Sequence, residues 1–281
     1  MGMYHEITGG LEFYRFVSRL NKDFDGQFDS IKVILENILV SLYNKRELVV
    51  GMTTENDEIS RLKLNLKDFI SNVPDNKFTM SPYQFSPKIR NEGLATPTRV
   101  QYVAQGYNFR KLGFQYSGAL TVFSRIAGLD YLWNKVRVQG GAYGSFVSLG
   151  RNGDTVFSSY RDPNLKKTLK AFHGIKEYLA QFNPTDREMR KYIIGSVSAL
   201  DKPLTPLMKG SIGTARFFKK IDEKLIQAHR EEVMGAKPEH IRDIAELVEV
   251  VLDKKVICVV GNEGKLQEEE SIFGEIVPVF N

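Results

Sequence analysis

An arginine, a tyrosine and a run of small residues stand close together near the middle of the 281-residue chain. Arg137 precedes Tyr143, and Gly140, Gly141 and Ala142 lie between them. A guanidinium and a phenol can both donate hydrogen bonds to a carbonyl oxygen or to the oxyanion that develops from it. Closely spaced glycines allow the backbone to turn sharply or to approach another backbone. The spacing therefore predicts two hydrogen-bond donors presented on a turn.

A structural role is the alternative for both side chains. Arg137 can pair with a surface carboxylate, and Tyr143 can pack in a core, because both arrangements are common in folded proteins. The residues alone leave the two interpretations open.

A helix is predicted to end just before this turn, and a hairpin is predicted to follow it. Apolar positions three and four apart indicate a helix over 117–135, and strands are predicted at 145–151 and 154–160. Asn152-Gly153 between the two strands is a strong signal for a two-residue hairpin turn. The turn is thus expected to be held from both sides by regular structure.

The residues after the hairpin predict a helix start. Asp162-Pro163 is typical of an N-cap followed by the first helical residue, so a helix is predicted over 163–182. Arg161 is predicted to pair with the adjacent Asp162 and so brace the hairpin, whereas Tyr160 can belong either to the core or to the wall of a chamber.

The remaining patterns place further elements along the chain. Thr185 and Glu188 have the spacing of a capping box. The amphipathic helices are predicted at 10–20, 29–42, 55–73, 185–200, 205–218, 222–234 and 238–251. The strands are predicted at 47–53, 99–106, 109–116 and 254–261, the last being apolar enough for the centre of a sheet.

This order of elements predicts an α+β fold with helices on one face of a mostly antiparallel sheet. Residues 1–74 carry one predicted strand, which cannot form a sheet by itself, so they are predicted to be the helical C-terminal part of a preceding α/β domain. Four prolines between positions 74 and 98 indicate an extended linker over 75–98. Residues 99–281 are then the last α+β domain.

Two short motifs resemble a known family. The runs LW at 132–133 and RVQGGAYG at 137–144, followed by SYRDPN at 159–164, resemble the C-terminal half of pitrilysin/insulinase-type zinc metallopeptidases. The likeness is greatest to the presequence protease and falcilysin branch and covers most of the chain. It implies a half built of two similar α/β domains.

The resemblance also implies roles for the residues of the turn. Arg137 and Tyr143 are expected to be catalytic, reaching across a closed chamber to bind the substrate backbone and to stabilise the tetrahedral intermediate. Gly140, Gly141 and Ala142 are expected to bind substrate.

The implied function is that of the C-terminal substrate-binding portion of a zinc metalloendopeptidase that degrades unstructured peptides. Zinc, its ligands and the general-base Glu are expected in an N-terminal half, which is also the expected partner, and the isolated chain is predicted to be inactive. The alternative is a non-catalytic scaffold or peptide-binding subunit. The bacterial cytoplasm is the expected location, or a mitochondrion or another organelle in a eukaryote.

No zinc site is expected in this chain. A catalytic zinc needs three protein ligands at fixed spacing, and the four histidines offer no pair on one helix face. Glu239-His240 matches the end of the inverted zinc motif. Ala236, however, occupies the place of the first His, and Pro238 interrupts the helix that would carry the ligands, so the match is interpreted as coincidence.

Composition excludes several other classes of protein. The net charge of +5 comes from scattered Lys and Arg and does not indicate nucleic-acid binding. The single cysteine, Cys258, excludes an intrachain disulfide and is predicted to be buried. No apolar run approaches the roughly 20 residues of a membrane span. Neither nucleic acid nor a membrane is therefore an expected partner.

Overall fold

The computed structural model describes residues 2–77, 84 and 91–280. The chain divides into two compact units, one formed by Met1–Pro87 with Leu204–Lys220 and the other by Lys88–Pro203 with Ile221–Asn281. The helices are α1 (Gly2–Gly9), α2 (Leu11–Lys22), α3 (Phe24–Leu42), α4 (Ile59–Ser71), α5 (Gly118–Ile126), α6 (Lys166–His173), α7 (Ile175–Ala180), α8 (Asp186–Leu200), α9 (Pro206–Lys219), α10 (Glu223–Met234), α11 (Pro238–Leu252) and α12 (Glu263–Glu268). The strands are β1 (Glu92–Thr96), β2 (Gln101–Asn108), β3 (Gly144–Leu149), β4 (Asp154–Asp162), β5 (Ile257–Asn262) and β6 (Glu275–Pro278).

The first unit is helical. The helices predicted at 10–20 and 29–42 are confirmed as α2 and α3, although neither helix buries a side chain. The strand predicted at 47–53 is wrong. A short 3-10 turn ends at Glu47, and residues 48–53 form no strand. An apolar run becomes a strand only beside a neighbour that completes its hydrogen bonds, and every strand of the described residues lies in the second unit.

The second unit contains a six-stranded sheet with the order β3-β4-β2-β5-β1-β6. β3, β4, β2 and β5 are antiparallel neighbours, whereas β1 is parallel to both β5 and β6. The predicted α+β class with a mostly antiparallel sheet is confirmed, as is the interior position of the apolar strand at 254–261, which forms β5. β1 falls within the range 75–98 predicted as a linker, half of which lies outside the described residues. The division into domains stays a prediction.

The two faces of this sheet differ in what covers them. Val103, Phe157 and Val259 point to one face and are almost completely buried, because α5, α6, α11 and α12 contact the strands there. On the opposite face Phe146 is 59% exposed and Tyr160 is 40% exposed. The prediction that helices pack on one face is therefore confirmed, and the second unit presents an open sheet face.

Several boundaries differ from the predicted ones. The helix predicted over 117–135 ends as an α-helix at Ile126 and continues in the π-helical form. The helix predicted over 163–182 is two helices that meet at Gly174. The strand predicted at 109–116 is wrong, because a 3-10 turn occupies its first residues. The capping box of α8 is confirmed: the Glu188 N–H donates to Thr185 Oγ1 at 3.3 Å, and the Thr185 N–H donates to Glu188 Oε2 at 2.7 Å.

The hairpin after the turn is confirmed, with a longer loop than predicted. The Gly150 N–H donates to the carbonyl oxygen of Asp154, and the Gly153 N–H donates to that of Gly150. The loop therefore has three residues, and Gly153 takes the left-handed conformation with a φ of +95°. A type I turn closed by a left-handed glycine is the usual three-residue hairpin connection.

Candidate functional site

A π-helical segment positions Arg137. After α5, the chain forms two such segments, Ala127–Tyr131 and Trp133–Val138. The second buries Val136 and leaves Trp133 and Arg137 on its outer side, where the Arg137 Cζ lies 3.9 Å from the centroid of the Trp133 ring. A guanidinium at this distance over an indole is held by a cation–π interaction. Arg137 thus stands at the surface in a fixed place at the end of the helix.

The glycines reverse the chain directly after Arg137. The Gly141 N–H donates to the carbonyl oxygen of Arg137 at 2.8 Å, and the Ala142 N–H donates to that of Val136 at 3.1 Å. Gly141 has a φ of +82°, which favours glycine. A Cβ on Gly140 would lie 2.4 Å from the Val136 oxygen, so only glycine fits there. Two reverse hydrogen bonds around a left-handed glycine are a common helix terminator.

The two sequence motifs form one structural unit. The Tyr143 N–H donates to the carbonyl oxygen of Tyr160 at 3.0 Å, and the Asn164 side chain donates from Nδ2 to the carbonyl oxygen of Gly140 at 2.6 Å. Asp162 is completely buried and accepts from the Asn164 N–H and from Thr168 Oγ1. The SYRDPN segment therefore fixes the glycine turn through its own backbone and through one amide side chain.

Asp162 does not cap the next helix as predicted. α6 begins at Lys166, three positions later than predicted, with Leu165 at the N-cap position. The Asp162 carboxylate instead receives the Asn164 N–H at 2.8 Å and the Thr168 hydroxyl at 2.6 Å. The buried charge is satisfied across the first turn of α6, so it joins the hairpin to the helix.

The two predicted catalytic side chains come together at the surface. Tyr143 is 65% exposed, and the Arg137 Cζ lies 5.8 Å from the centroid of its ring. The Tyr143 ring also meets that of Tyr160 edge to face, with the centroids 5.8 Å apart. The pair can therefore offer a guanidinium and a hydroxyl to one bound group.

The three residues predicted to bind substrate have other contacts in the turn. Ala142 is only 4% exposed, and its N–H, like that of Gly141, is used within the turn. The carbonyl oxygen of Gly140 accepts from Asn164. Substrate binding by these residues stays a prediction, and the contacts seen for them serve to shape the turn.

The pairing predicted between Arg161 and Asp162 is wrong. Arg161 is exposed, whereas Asp162 points into the core. The Arg161 Cζ lies 5.7 Å from the centroid of the Tyr160 ring. A side-chain hydrogen bond with Tyr102, and to a lesser extent the nearby tyrosine hydroxyls, raise the pKa of its guanidinium. The sequence-based interpretation missed Arg161 and Tyr102 as neighbours of Tyr143, because their proximity depends on the pairing of β2 with β4.

A second group of titratable side chains lies among the helices. Burial is the largest cause that raises the pKa of Asp130, and it raises the pKa of both Tyr131 and Tyr178 to about 12. Tyr131 donates to the carbonyl oxygen of Ala171, and Tyr192 donates to Asp130. These hydrogen bonds link neighbouring helices, so the group has an internal structural role.

Among the described residues, no group of three or more His, Cys, Asp or Glu side chains is placed to hold a metal ion. Pro238 is the first residue of α11, and the Nδ1 of His240 accepts from the Lys237 N–H at 3.3 Å.

Cys258 is partly exposed on β5, so its predicted burial is wrong. Within the described part, no helix is long and apolar enough to cross a membrane.

Comparison with known proteins adds independent information. The family described as the PreP C-terminal domain matches residues 91–263. Protein HypA of Clostridium perfringens is 37% identical over 278 residues, which are 99% of this chain and 28% of that protein. Presequence protease 1, chloroplastic/mitochondrial, of Arabidopsis thaliana is 30% identical over 280 residues, which are 98% of this chain and 26% of that protein. The chain thus spans about a quarter of the length of these relatives.

One solved structure shares the fold. The crystal structure of a protease from Helicobacter pylori superimposes with a TM-score of 0.51, covering 74% of this chain and 52% of that chain. The two sequences are 16% identical, so this likeness concerns the fold alone.

Proposed function

The chain belongs to the family of the PreP C-terminal domain, and from this premise we propose that it is the C-terminal substrate-binding portion of a zinc metalloendopeptidase that degrades unstructured peptides in an enclosed chamber. The relative from Arabidopsis thaliana is named a presequence protease, which supports a peptide as the substrate. The function of the whole protein depends on parts beyond this chain.

The observation that carries the proposal is the placement of Arg137 and Tyr143. Both reach the surface from a turn whose backbone is hydrogen-bonded on both sides, and the guanidinium carbon lies 5.8 Å from the phenol ring centroid. Donors held rigidly before the substrate arrives need no reorganisation during the reaction. This rigidity favours a role in binding a charge that develops in the transition state.

Each side chain has a distinct task in the proposed mechanism. Arg137 donates to carbonyl oxygens of the bound peptide and holds its backbone, since a guanidinium offers several N–H groups in one plane. Tyr143 donates its hydroxyl hydrogen to the carbonyl oxygen of the bond to be cut, and this hydrogen bond strengthens as that oxygen gains negative charge. The zinc, its ligands and the general-base Glu belong to the N-terminal half.

The N-terminal half is also the proposed partner of this chain. Support comes from the first unit, where apolar side chains such as Ile34 and Leu35 are more than half exposed. Contiguous exposed apolar surface of this kind is typical of an interface. The name of the relative from Arabidopsis thaliana supports an organelle as the location in a eukaryote, and the bacterial cytoplasm is proposed for a bacterial source.

The experiment is a tyrosine substitution in the chain assembled with the N-terminal half. Replacing Tyr143 by Phe removes one hydroxyl, and we expect kcat to fall about 10–1000-fold, as for the loss of one oxyanion donor. Tyr107→Phe is the matched control, because Tyr107 packs against the core on the covered face. The isolated chain should hydrolyse none of the peptides.

Three outcomes separate the possibilities. A large fall in kcat for Tyr143→Phe alone supports the proposed role. Unchanged turnover of that variant would remove Tyr143 from the mechanism. An assembled protein that binds peptides and cuts none would instead favour a non-catalytic peptide-binding subunit.

A further inference from the structure

Arg161 is an exposed cation that lies near the proposed catalytic tyrosine. It is the next-to-last residue of β4, and no carboxylate of the described residues forms an ion pair with it. The adjacent carboxylate, Asp162, is buried and already accepts hydrogen bonds from Asn164 and Thr168. The charge of Arg161 is therefore available to a bound molecule.

A β-bulge turns Arg161 onto the open face of the sheet. β2 and β4 pair Val103 with Ser159 and Gln101 with Asp162, so two residues of β4 stand opposite the single residue Tyr102. Side chains normally alternate between the faces of a strand, yet the two bulged residues, Tyr160 and Arg161, are both exposed. Bulges are frequent beside active sites, where they redirect a side chain.

The backbone of Arg161 is strained in this position. Its φ is +48°, a left-handed conformation that is unfavourable for a residue with a Cβ. Glycine would remove this cost, so the conformation alone does not explain an arginine here. Strained residues of this kind cluster at binding and catalytic sites.

Tyrosine rings connect Arg161 to Tyr143. The Tyr160 ring lies between the other two tyrosines, with its centroid 5.8 Å from that of Tyr143 and 5.3 Å from that of Tyr102. Arg161 lies near the Tyr160 ring and close enough to Tyr102 for the two side chains to interact, while Arg137 stands beside Tyr143. A cation thus lies at each end of a row of three phenol rings.

We propose that Arg161 determines specificity by binding a carboxylate of the peptide substrate close to the bond that is cut. A planar guanidinium can hold both oxygens of a carboxylate at once. The carboxylate belongs either to an acidic side chain or to the C-terminus of the peptide. This inference rests on the proposed function, because it places the substrate against Tyr143.

The test uses four matched fluorogenic peptides and the chain assembled with the N-terminal half. The peptides carry Glu or Gln beside the bond that is cut, each with a free or an amidated C-terminus. We expect the peptides that carry the bound carboxylate to have a kcat/KM about 5- to 100-fold higher than the peptides that lack it. This range corresponds to a hydrogen bond to a charged group. The advantage should appear mainly in KM.

Three substitutions separate recognition from structure. Arg161→Gln should abolish the preference, and Arg161→Lys should retain part of it. Arg161→Gly relieves the left-handed strain, so it should fold at least as well and still lose the preference. Arg151→Gln is the matched control, since Arg151 is also exposed and lies 5.0 Å from the ring of Tyr116.

Each result decides the matter. If kcat/KM falls when Gln replaces Glu in the peptide, the ligand of Arg161 is the acidic side chain. If kcat/KM falls when the C-terminus is amidated, the ligand is the C-terminal carboxylate. A preference that Arg161→Gln leaves intact, or an equal loss for all four peptides, would overturn the proposal. If the assembled wild type cuts no peptide, the proposed function has failed, and fluorescence anisotropy with the same peptides and variants then tests carboxylate binding by Arg161.

Discussion

The two units of this chain bury their apolar residues to very different extents. In the second unit Phe109, Phe123, Phe157 and Phe172 are completely buried in one core. In the first unit α2, α3 and α4 have no buried residue, although their sequences are as clearly amphipathic. The same periodic pattern therefore gives a packed layer in one unit and an exposed apolar surface in the other.

The difference shows which part of the fold this chain can complete by itself. Burial of apolar surface is the main driving force of folding, so the second unit holds its own stability and can keep a rigid site on its surface. We propose that the first unit gains that contribution from a partner. We interpret the first unit as an interface region and the second as the part that carries the proposed site.

The largest expected effect tests this contrast with one apolar residue from each unit. Phe157→Ala should lower the free energy of unfolding by about 3–5 kcal/mol, because it leaves a cavity in a dense core. Leu35→Ala should change it by no more than about 0.5 kcal/mol, since Leu35 is 59% exposed in α3. Urea denaturation of the chain, followed by circular dichroism, measures both.

The same pair of variants can also contradict the contrast between the two units. Once the N-terminal half is added, Leu35→Ala should become costly, because the partner is proposed to cover that surface. If Leu35→Ala is as damaging as Phe157→Ala in the isolated chain, the first unit has a core of its own and the contrast is wrong.

The second prediction concerns the turn that carries the site. Gly140→Ala should cost about 1–3 kcal/mol, since the new Cβ would overlap the Val136 oxygen. Gly128→Ala is the matched control: its Cβ would meet nothing within 4 Å, so it should be neutral or stabilise by up to about 1 kcal/mol. Trp133, the single tryptophan, reports unfolding of the second unit.

Activity sharpens this second comparison. Because the glycine turn positions Tyr143, Gly140→Ala should also lower kcat in the assembled protein, whereas Gly128→Ala should not. Equal stability of the two variants would show that the turn yields at low cost and would contradict the rigidity on which the proposed mechanism depends.

Local signals explain what the sequence could predict of this site. The glycine turn, the hairpin and the Thr185 capping box each depend on residues a few positions apart, and all three are present. The proximity of Arg137 and Tyr143 follows from the same short segment. Predictions of this kind succeed because neighbouring residues determine the backbone conformation.

Long-range pairing explains what the sequence could not predict. The bulge that exposes Arg161 exists only because Tyr102, far away in the chain, lies opposite it in the sheet. The strand prediction at 47–53 failed for a related reason, since no described strand lies beside these residues. Such features depend on which strands meet, and a single sequence does not state this.

The smallest expected effect compares two threonine caps, one in each unit. Thr185 caps α8 in the second unit and Thr205 caps α9 in the first, and each hydroxyl accepts from a backbone N–H at 3.3 Å. Of the two hydroxyls, only that of Thr185 also donates to a carboxylate, Glu188 Oε2, at 2.8 Å. Thr185→Ala should therefore cost about 1 kcal/mol, and Thr205→Ala somewhat less. Thermal unfolding, followed by Trp133 fluorescence for α8 and by circular dichroism for α9, measures the two changes.

The pH dependence of the Thr185 cap gives an internal check. Hydrogen bonds from the Thr185 backbone and side chain lower the pKa of Glu188 below its ordinary value of 4.5. A carboxylate whose pKa is depressed in the folded state stabilises above the unfolded pKa and loses that contribution as the pH falls through the folded pKa. The difference between wild type and Thr185→Ala should therefore shrink below pH 4.5, while that for Thr205→Ala stays constant. A difference for Thr185→Ala that is independent of pH would mean that the bond from the Thr185 hydroxyl to Glu188 contributes nothing, since the backbone bond remains in the variant, and the caps of the two units would then be equivalent.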